Sequence, residues 1–163
     1  LDNAQEQSMK RSERFRKFSE ISSELENNAG AELAAARSQL DAQKNQLQEL
    51  KSYLGEYQRQ LQAKLDVSDS ALVINGYQQF ISSLNGAIAL QKEIVRKSEN
   101  ATENLRQNWI ERKLEVNKFD QAAENIRTEE IAHDRKVEQS ESDDRVLNHF
   151  RRNRTANDME AAS

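Results

Sequence analysis

The sequence predicts an all-α protein, a long two-helix antiparallel coiled-coil hairpin. Three observations carry that expectation. The 163 residues contain no proline and only four glycines, so little in the chain interrupts a helix. Only 36% of them are hydrophobic and mean hydropathy is −0.98, which leaves too few apolar groups for an ordinary globular core of this length. The 24 cations and 28 carboxylates nearly cancel to a net charge of −4, whereas disorder goes with low hydrophobicity and a large net charge. Long helices that bury a narrow seam satisfy all three.

The first helix is read from an apolar run at helical spacing: Phe15, Phe18, Ile21, Leu25, Ala29, Leu33, Ala36, Leu40, Gln43, Leu47, Leu50, Leu54, Tyr57 and Leu61. From Leu33 to Leu61 the steps alternate three and four, the a/d pattern of a heptad coiled coil. Two successive steps of four, Leu25 to Ala29 to Leu33, predict a stutter that locally unwinds the supercoil. Gln43 is the one plainly polar residue in the regular part.

A second helix follows on Ile74, Tyr77, Ile81, Leu84, Ile88, Gln91, Val95, Ser98, Thr102, Leu105, Trp109, Arg112, Val116, Phe119, Ala123 and Ile126, with no fault in the alternation. A flanking row of Val73, Phe80, Ala87, Ile94 and Ala101 widens the apolar face over the first half. Gly76 and Gly86 lie inside this helix at a cost of about 1 kcal/mol each relative to alanine, which the seam overrides. Between the helices, Asp66-Val67-Ser68-Asp69-Ser70 reads as a turn, with Ser68, Asp69 or Ser70 capping a helix that begins near Ala71. So short a link makes the pair antiparallel.

Register is expected from the seam itself. Pairing Leu61 with Ile74 sets Tyr57 against Tyr77, Leu54 against Ile81, Leu50 against Leu84 and Gln43 against Gln91. Further out, Leu25 meets Trp109, Phe18 meets Val116 and Phe15 meets Phe119. The polar residue of one seam lands on a polar residue of the other, a layer that costs stability but selects one register. A first helix of about 55 residues would be a rod of roughly 80 Å. On this register Met9 lies near Asn125, so the hairpin is expected over 10–125. Residues 1–9 then form an N-terminal extension, and 126–163 a helical extension that frays into a polar, basic tail.

Function classes narrow by exclusion. No run approaches the roughly 18 apolar residues of a membrane span, and no secretory h-region follows the N-terminus. Without cysteine there is no disulfide or thiolate metal site, and His133 and His149 lie too far apart to pair on one metal. The sequence holds no GxxxxGK[ST], GxGxxG or GxSxG motif, and a two-helix rod lacks the concave pocket of an enzyme. A non-enzymatic intracellular protein is expected, with no cofactor, no metal and no small-molecule substrate.

Charge is uneven along the chain. Residues 10–17 carry Lys10, Arg11, Arg14, Arg16 and Lys17 against Glu13 alone, and residues 145–154 carry Arg145, Arg151, Arg152 and Arg154 with no acid. Cations near a helix N-terminus oppose its dipole, so helix stability does not explain the first cluster. Docking to an acidic surface does; a solvated end is the bland alternative. Nucleic acid is not expected, because the tryptophan and the tyrosines sit on coiled-coil faces rather than beside the basic clusters.

The stretch Gly76-Tyr77-Gln78-Gln79-Phe80-Ile81, continuing through Leu84 to Ile88, resembles the start of the second helix in the FliJ family of flagellar type III export. That family reads N-Y-Q-x-F there, with a leucine four residues after the phenylalanine; here Gly76 stands where asparagine is usual. Gln46-Leu47 through Tyr53 and Tyr57 also agree, as does Asn108-Trp109-Ile110-Glu111-Arg112-Lys113. The resemblance covers roughly positions 40 to 120, and the family start would fall near Met9, leaving Leu1 to Ser8 as an upstream extension or a non-native leader.

Several expectations follow from this resemblance. FliJ-like proteins are hairpins similar to the coiled coil of the rotary ATPase central stalk. Their termini point to the hexameric export ATPase (FliI), and the half near the turn engages the cytoplasmic region of the export gate protein FlhA. They also interact with export chaperones and work at the cytoplasmic face of the inner membrane. Carried over, the gate stripe is Gln46, Leu50, Tyr53, Tyr57, Phe80, Leu84 and Ala87, with Gln91 where the family carries histidine. The basic cluster Lys10, Arg11, Arg14, Arg16 and Lys17 is then the ATPase-docking end. Tyr53 and Phe80 lie just off the seam, where a two-helix hairpin cannot bury them fully. Exposed aromatics on one face mark interaction sites. Leu50, Tyr57 and Leu84 fall on the seam and serve equally well as core. The stalk of a virulence-type secretion system and a generic coiled-coil scaffold or chaperone are the alternatives, and the Tyr-Gln-Gln-Phe segment favours the flagellar one.

Overall fold

The computed structural model describes residues 10–160, with side chains through Arg154. The expected extension at Leu1–Met9 lies outside the described residues. Two α-helices make up the chain, α1 (Arg11–Asp66) and α2 (Ala71–Glu160), packed against each other as a coiled-coil hairpin. Contacts group them into two compact units. One is Ser23–Leu114, which holds the turn; among the described residues the other joins 10–22 with 115–160.

In the Ser23–Leu114 unit the core is the expected seam. Ala29, Leu33, Leu84, Ile88 and Val95 are buried, and Gln91 is buried among them at 5% exposure. Gln91 Nε2 donates to Gln43 Oε1 at 2.7 Å and to the Gln43 carbonyl at 3.1 Å, so the polar layer is closed. Toward the turn the Tyr57 and Tyr77 rings lie 6.0 Å apart, the pairing expected from register. Away from the turn Trp109 packs beside Glu26 and Gly30. Its Nε1 donates to Glu26 at 3.1 Å and its ring lies against Gly30, where a Cβ would stand 3.3 Å from that nitrogen. Helical side chains lean toward their own N-terminus, so a long ring on α2 reaches positions offset from its own height.

The turn is a helix C-cap of the Schellman type. Asp69 N–H donates to the Lys64 carbonyl at 3.0 Å and Ser68 N–H to the Leu65 carbonyl at 3.1 Å. That geometry needs a left-handed residue between them, and Ser68 takes it with φ 53°. Ser70 then caps α2: its Oγ accepts from Val73 N–H at 3.4 Å, and Asp69 accepts from Ser70 N–H at 2.7 Å. A side-chain-bearing residue in the left-handed well costs about 1–2 kcal/mol. Ser68→Gly therefore raises the unfolding free energy by about 1 kcal/mol, read as an upward shift in Tm.

The start of α1 departs from expectation, at Leu25 in the first unit and at Phe18 and Ile21 in the second. Phe18, Ile21 and Leu25 were expected in the seam, yet they are 51%, 57% and 41% exposed. Ser19 and Ser22 are buried instead, with Ser12, Phe15 and Glu26 partly buried. Counted back from Ala29, these positions keep the alternation of three and four, so α1 has no stutter. The reason is periodicity: α2 holds a strict heptad, and a matching helix keeps the same rotation even where that turns serines inward. Each inward polar group that is hydrogen-bonded loses little by it. Ser19 Oγ donates to Asp120, Ser12 Oγ to Glu130, and no buried side-chain nitrogen or oxygen among the described residues lacks a partner.

Pairing also runs further along α2 than Asn125. Ile126 is buried, Glu130 accepts the Ser12 N–H at 3.2 Å at the start of α1, and Asp134 pairs with Lys10 at 2.9 Å. Glu130 thereby satisfies one of the free amides of the first turn of α1, which a register of apolar residues does not register. Beyond it, every side chain from Ile131 to Arg154 is exposed, and α2 is helical to Glu160.

Candidate interaction surfaces

Near the turn, the sequence-derived stripe separates into surface and core. Tyr53 is 54% exposed and Phe80 44%, and Gln46 is exposed as well. Leu50, Tyr57 and Ala87 are half-buried on the flank of the seam. Leu84 and Gln91 are buried, Gln91 with its amide committed to Gln43, so neither presents much surface to a partner. The Phe80 ring rests on Tyr57 with centroids 4.4 Å apart, and Tyr77 Oη donates to Gln60 at 3.3 Å. Phe80 is thus held in place by a seam residue while one side stays open, a preorganised aromatic of the kind that anchors interfaces. Leu90 and Ile94, at 70% and 44% exposure, continue an apolar face along α2.

At the other end, Lys10, Arg11, Arg14, Arg16 and Lys17 are all exposed. Lys10 is held by Asp134, while the side chains of Arg11, Arg14, Arg16 and Lys17 make no hydrogen bond or ion pair among the described residues. A groove of about 290 Å³ beside them is lined by Ser12, Glu13, Arg16, Asp120, Ala123, Glu124 and Arg127, mostly charged side chains in contact with solvent. In the last part of α2, Arg145 pairs with Glu141 at 3.6 Å.

Carboxylates at this end are held below their ordinary range. The Ser12 hydroxyl beside Glu130, then the Ser12 amide and the Lys10 charge, lower it from 4.5. Hydrogen bonding and charge from Lys10 lower Asp134 from 3.8, and the same pair raises Lys10 from 10.5. Glu103, near the middle of α2, is lowered to about 2 by its hydrogen bonds to Arg106 and Gln107. Lowered carboxylates stabilise the fold fully above their unfolded values of 4.5 and 3.8, and that contribution is lost as pH falls through the lower folded values. The raised lysine acts oppositely, its contribution being lost only as pH rises above 10.5. Protection factors of the amides in residues 11–22, corrected for intrinsic rate, should therefore fall below about pH 4 while those of Leu33–Leu61 hold. An equal fall in both would contradict the part given to Glu130 and Asp134.

No helix among the described residues is long and apolar enough to cross a membrane. Taken together, the fold and its surfaces define a class: a coiled-coil hairpin with exposed aromatics near its turn and unpaired cations at its open end. The family described as "Flagellar FliJ protein" matches residues 9–155, nearly the whole chain, and this chain belongs to that family, a component of flagellar protein export. Comparison with curated proteins and with solved structures returns no match.

Sequence reasoning missed two features. The inward-facing Ser19, Ser22 and Glu26 carry no hydropathy signal, although counting heptads backward from Ala29 would have found them. The contact of Gly30 with Trp109 had a weaker signal: a glycine at a seam-adjacent position near the height of the only tryptophan.

Proposed function

We propose that this chain is a non-enzymatic central stalk and adaptor of the flagellar export apparatus, coupling the hexameric export ATPase (FliI) to the membrane export gate. Membership of the FliJ family supports the setting. The observation that carries the reading is the exposure of Tyr53 and Phe80 just off a seam whose residues near them are half-buried or buried. Gln46, Tyr53 and Phe80, with the accessible sides of Leu50, Tyr57 and Ala87, form the contact for the cytoplasmic region of FlhA. Leu84 and Gln91 act beneath it as support. The open end, with Arg11, Arg14, Arg16 and Lys17, docks on acidic ATPase surface, and the exposed flanks remain for export chaperones. Work at the cytoplasmic face of the inner membrane follows from those partners.

Such a two-ended adaptor needs no catalytic group of its own. Its contribution is to hold two partners on separate parts of one chain, each through a few residues. The test is copurification of the tagged full chain with the export ATPase of the same organism. Recovery of the ATPase from wild type, and its loss when Arg11, Arg14 and Arg16 are reversed to glutamate, is the expected result. Equal recovery with both would remove the basic end from the interface.

A further inference from the structure

Phe18 and Ile21 stand out at the open end. With Arg11 and Arg14 they follow one another at steps of three, four and three along α1, which puts all four on one helix face, with Lys17 at its edge. The inward heptad takes Ser19 and Ser22 and leaves Phe18 and Ile21 at 51% and 57% exposure. The Phe18 ring has its centroid 6.2 Å from that of Phe15 and 6.0 Å from that of Phe119. Beside them, the Arg11, Arg14 and Lys17 side chains have no partner among the described residues, at a helix end whose dipole disfavours them. Neither feature is explained by the hairpin's own stability, and both lie on the same face.

We propose that Phe18 and Ile21, framed by Arg11, Arg14 and Lys17, form a docking face for a partner protein surface that sets carboxylates around an apolar groove. This rests on the reading that the basic end meets the export ATPase and adds that the contact there is apolar at its centre. Cations without internal partners call for carboxylates opposite, and exposed aromatic and β-branched side chains supply the water-excluding middle that a charge contact lacks. An anionic bilayer would also attract the cations. It is disfavoured by α2, whose carboxylates Asp120 and Glu130, bonded to Ser19 and Ser12, line the seam against α1. Across residues 115–135, α2 carries six carboxylates against three cations, whereas residues 10–22 of α1 carry five cations against two carboxylates. A broad anionic plane meets both helices; a groove the width of one helix meets α1 alone.

Titration calorimetry of the full chain with the purified export ATPase, at low salt and at about 0.5 M salt, tests this. Ile21→Ser is the informative variant, because Ile21 takes no part in the ring cluster and its loss leaves the fold intact; Phe18→Ala accompanies it. Each should weaken binding at least about tenfold at both salt concentrations. Arg11→Glu with Arg14→Glu should weaken it chiefly at low salt. Wild-type affinity in Ile21→Ser, while the charge reversals still weaken binding, overturns the apolar face and leaves ATPase docking standing. Absence of any wild-type binding to the ATPase removes both. Binding to vesicles of equimolar phosphatidylcholine and phosphatidylglycerol that depends on Ile21, with ATPase binding indifferent to it, also overturns the protein partner.

Discussion

Leu33→Ala should lower the unfolding free energy by about 2–4 kcal/mol, whereas Ile21→Ala should change it by less than about 0.5 kcal/mol. Hydropathy ranks the two residues alike, and both were expected in the seam. Leu33 is 4% exposed between Ala29 and the facing residues of α2, so truncation removes buried apolar contact and leaves a void in a core only one layer thick. Ile21 is 57% exposed and loses little. Urea melts followed by circular dichroism measure both, with the midpoint shift at unchanged slope giving the difference. A large loss from Ile21→Ala would restore the stutter and contradict the inward placement of Ser19 and Ser22.

The second large effect is on binding. Tyr53→Ala combined with Phe80→Ala should weaken association with the gate protein's cytoplasmic region by at least about 2 kcal/mol, roughly thirtyfold. Both residues are about half exposed, so the fold should survive their loss. Phe80 also rests on Tyr57, and its removal frees that ring, so a modest drop in Tm is expected. Leu54→Ala separates stability from contact: half-buried in the seam and outside the stripe, it should destabilise the hairpin while leaving affinity for the gate unchanged. A double variant that binds normally, or that unfolds as readily as Leu54→Ala, would exclude these aromatics as the site.

The legible part of the fold was the part held together by apolar periodicity. Every seam position read on α2 from Ile74 to Ile126 is buried or half-buried, and the turn begins and ends where its aspartates and serines said it would. Gln43 and Gln91 were paired by the register of the apolar seam, and they hydrogen-bond. Hydropathy failed where the seam turns polar. Near Phe18 and Ile21 the apolar residues lie one position off the heptad, and a pattern that follows apolar residues slides onto the wrong face, inventing a stutter to do so. Burial of Ser19 and Ser22 depends on partners such as Asp120 that lie about a hundred residues away along the chain. The reach of α2 to Asp134 escaped notice for a related reason, since an acidic side chain capping a distant helix start leaves no periodic trace. Among the candidate site residues, exposure of Tyr53 and Phe80 followed from their off-seam positions. The commitment of Gln91 to the core follows from the same register argument that paired it with Gln43.

Calorimetric titration of the full chain into the cytoplasmic region of the export gate protein, repeated with the two ends altered separately, tests the two-ended adaptor most directly. Wild type should bind with one saturable heat signal. That signal should be lost when Tyr53 and Phe80 are changed to alanine and retained when Arg11, Arg14 and Arg16 are reversed to glutamate. No binding by wild type, or equal loss from changes at either end, would contradict an adaptor that meets the gate near its turn and the ATPase at its open end.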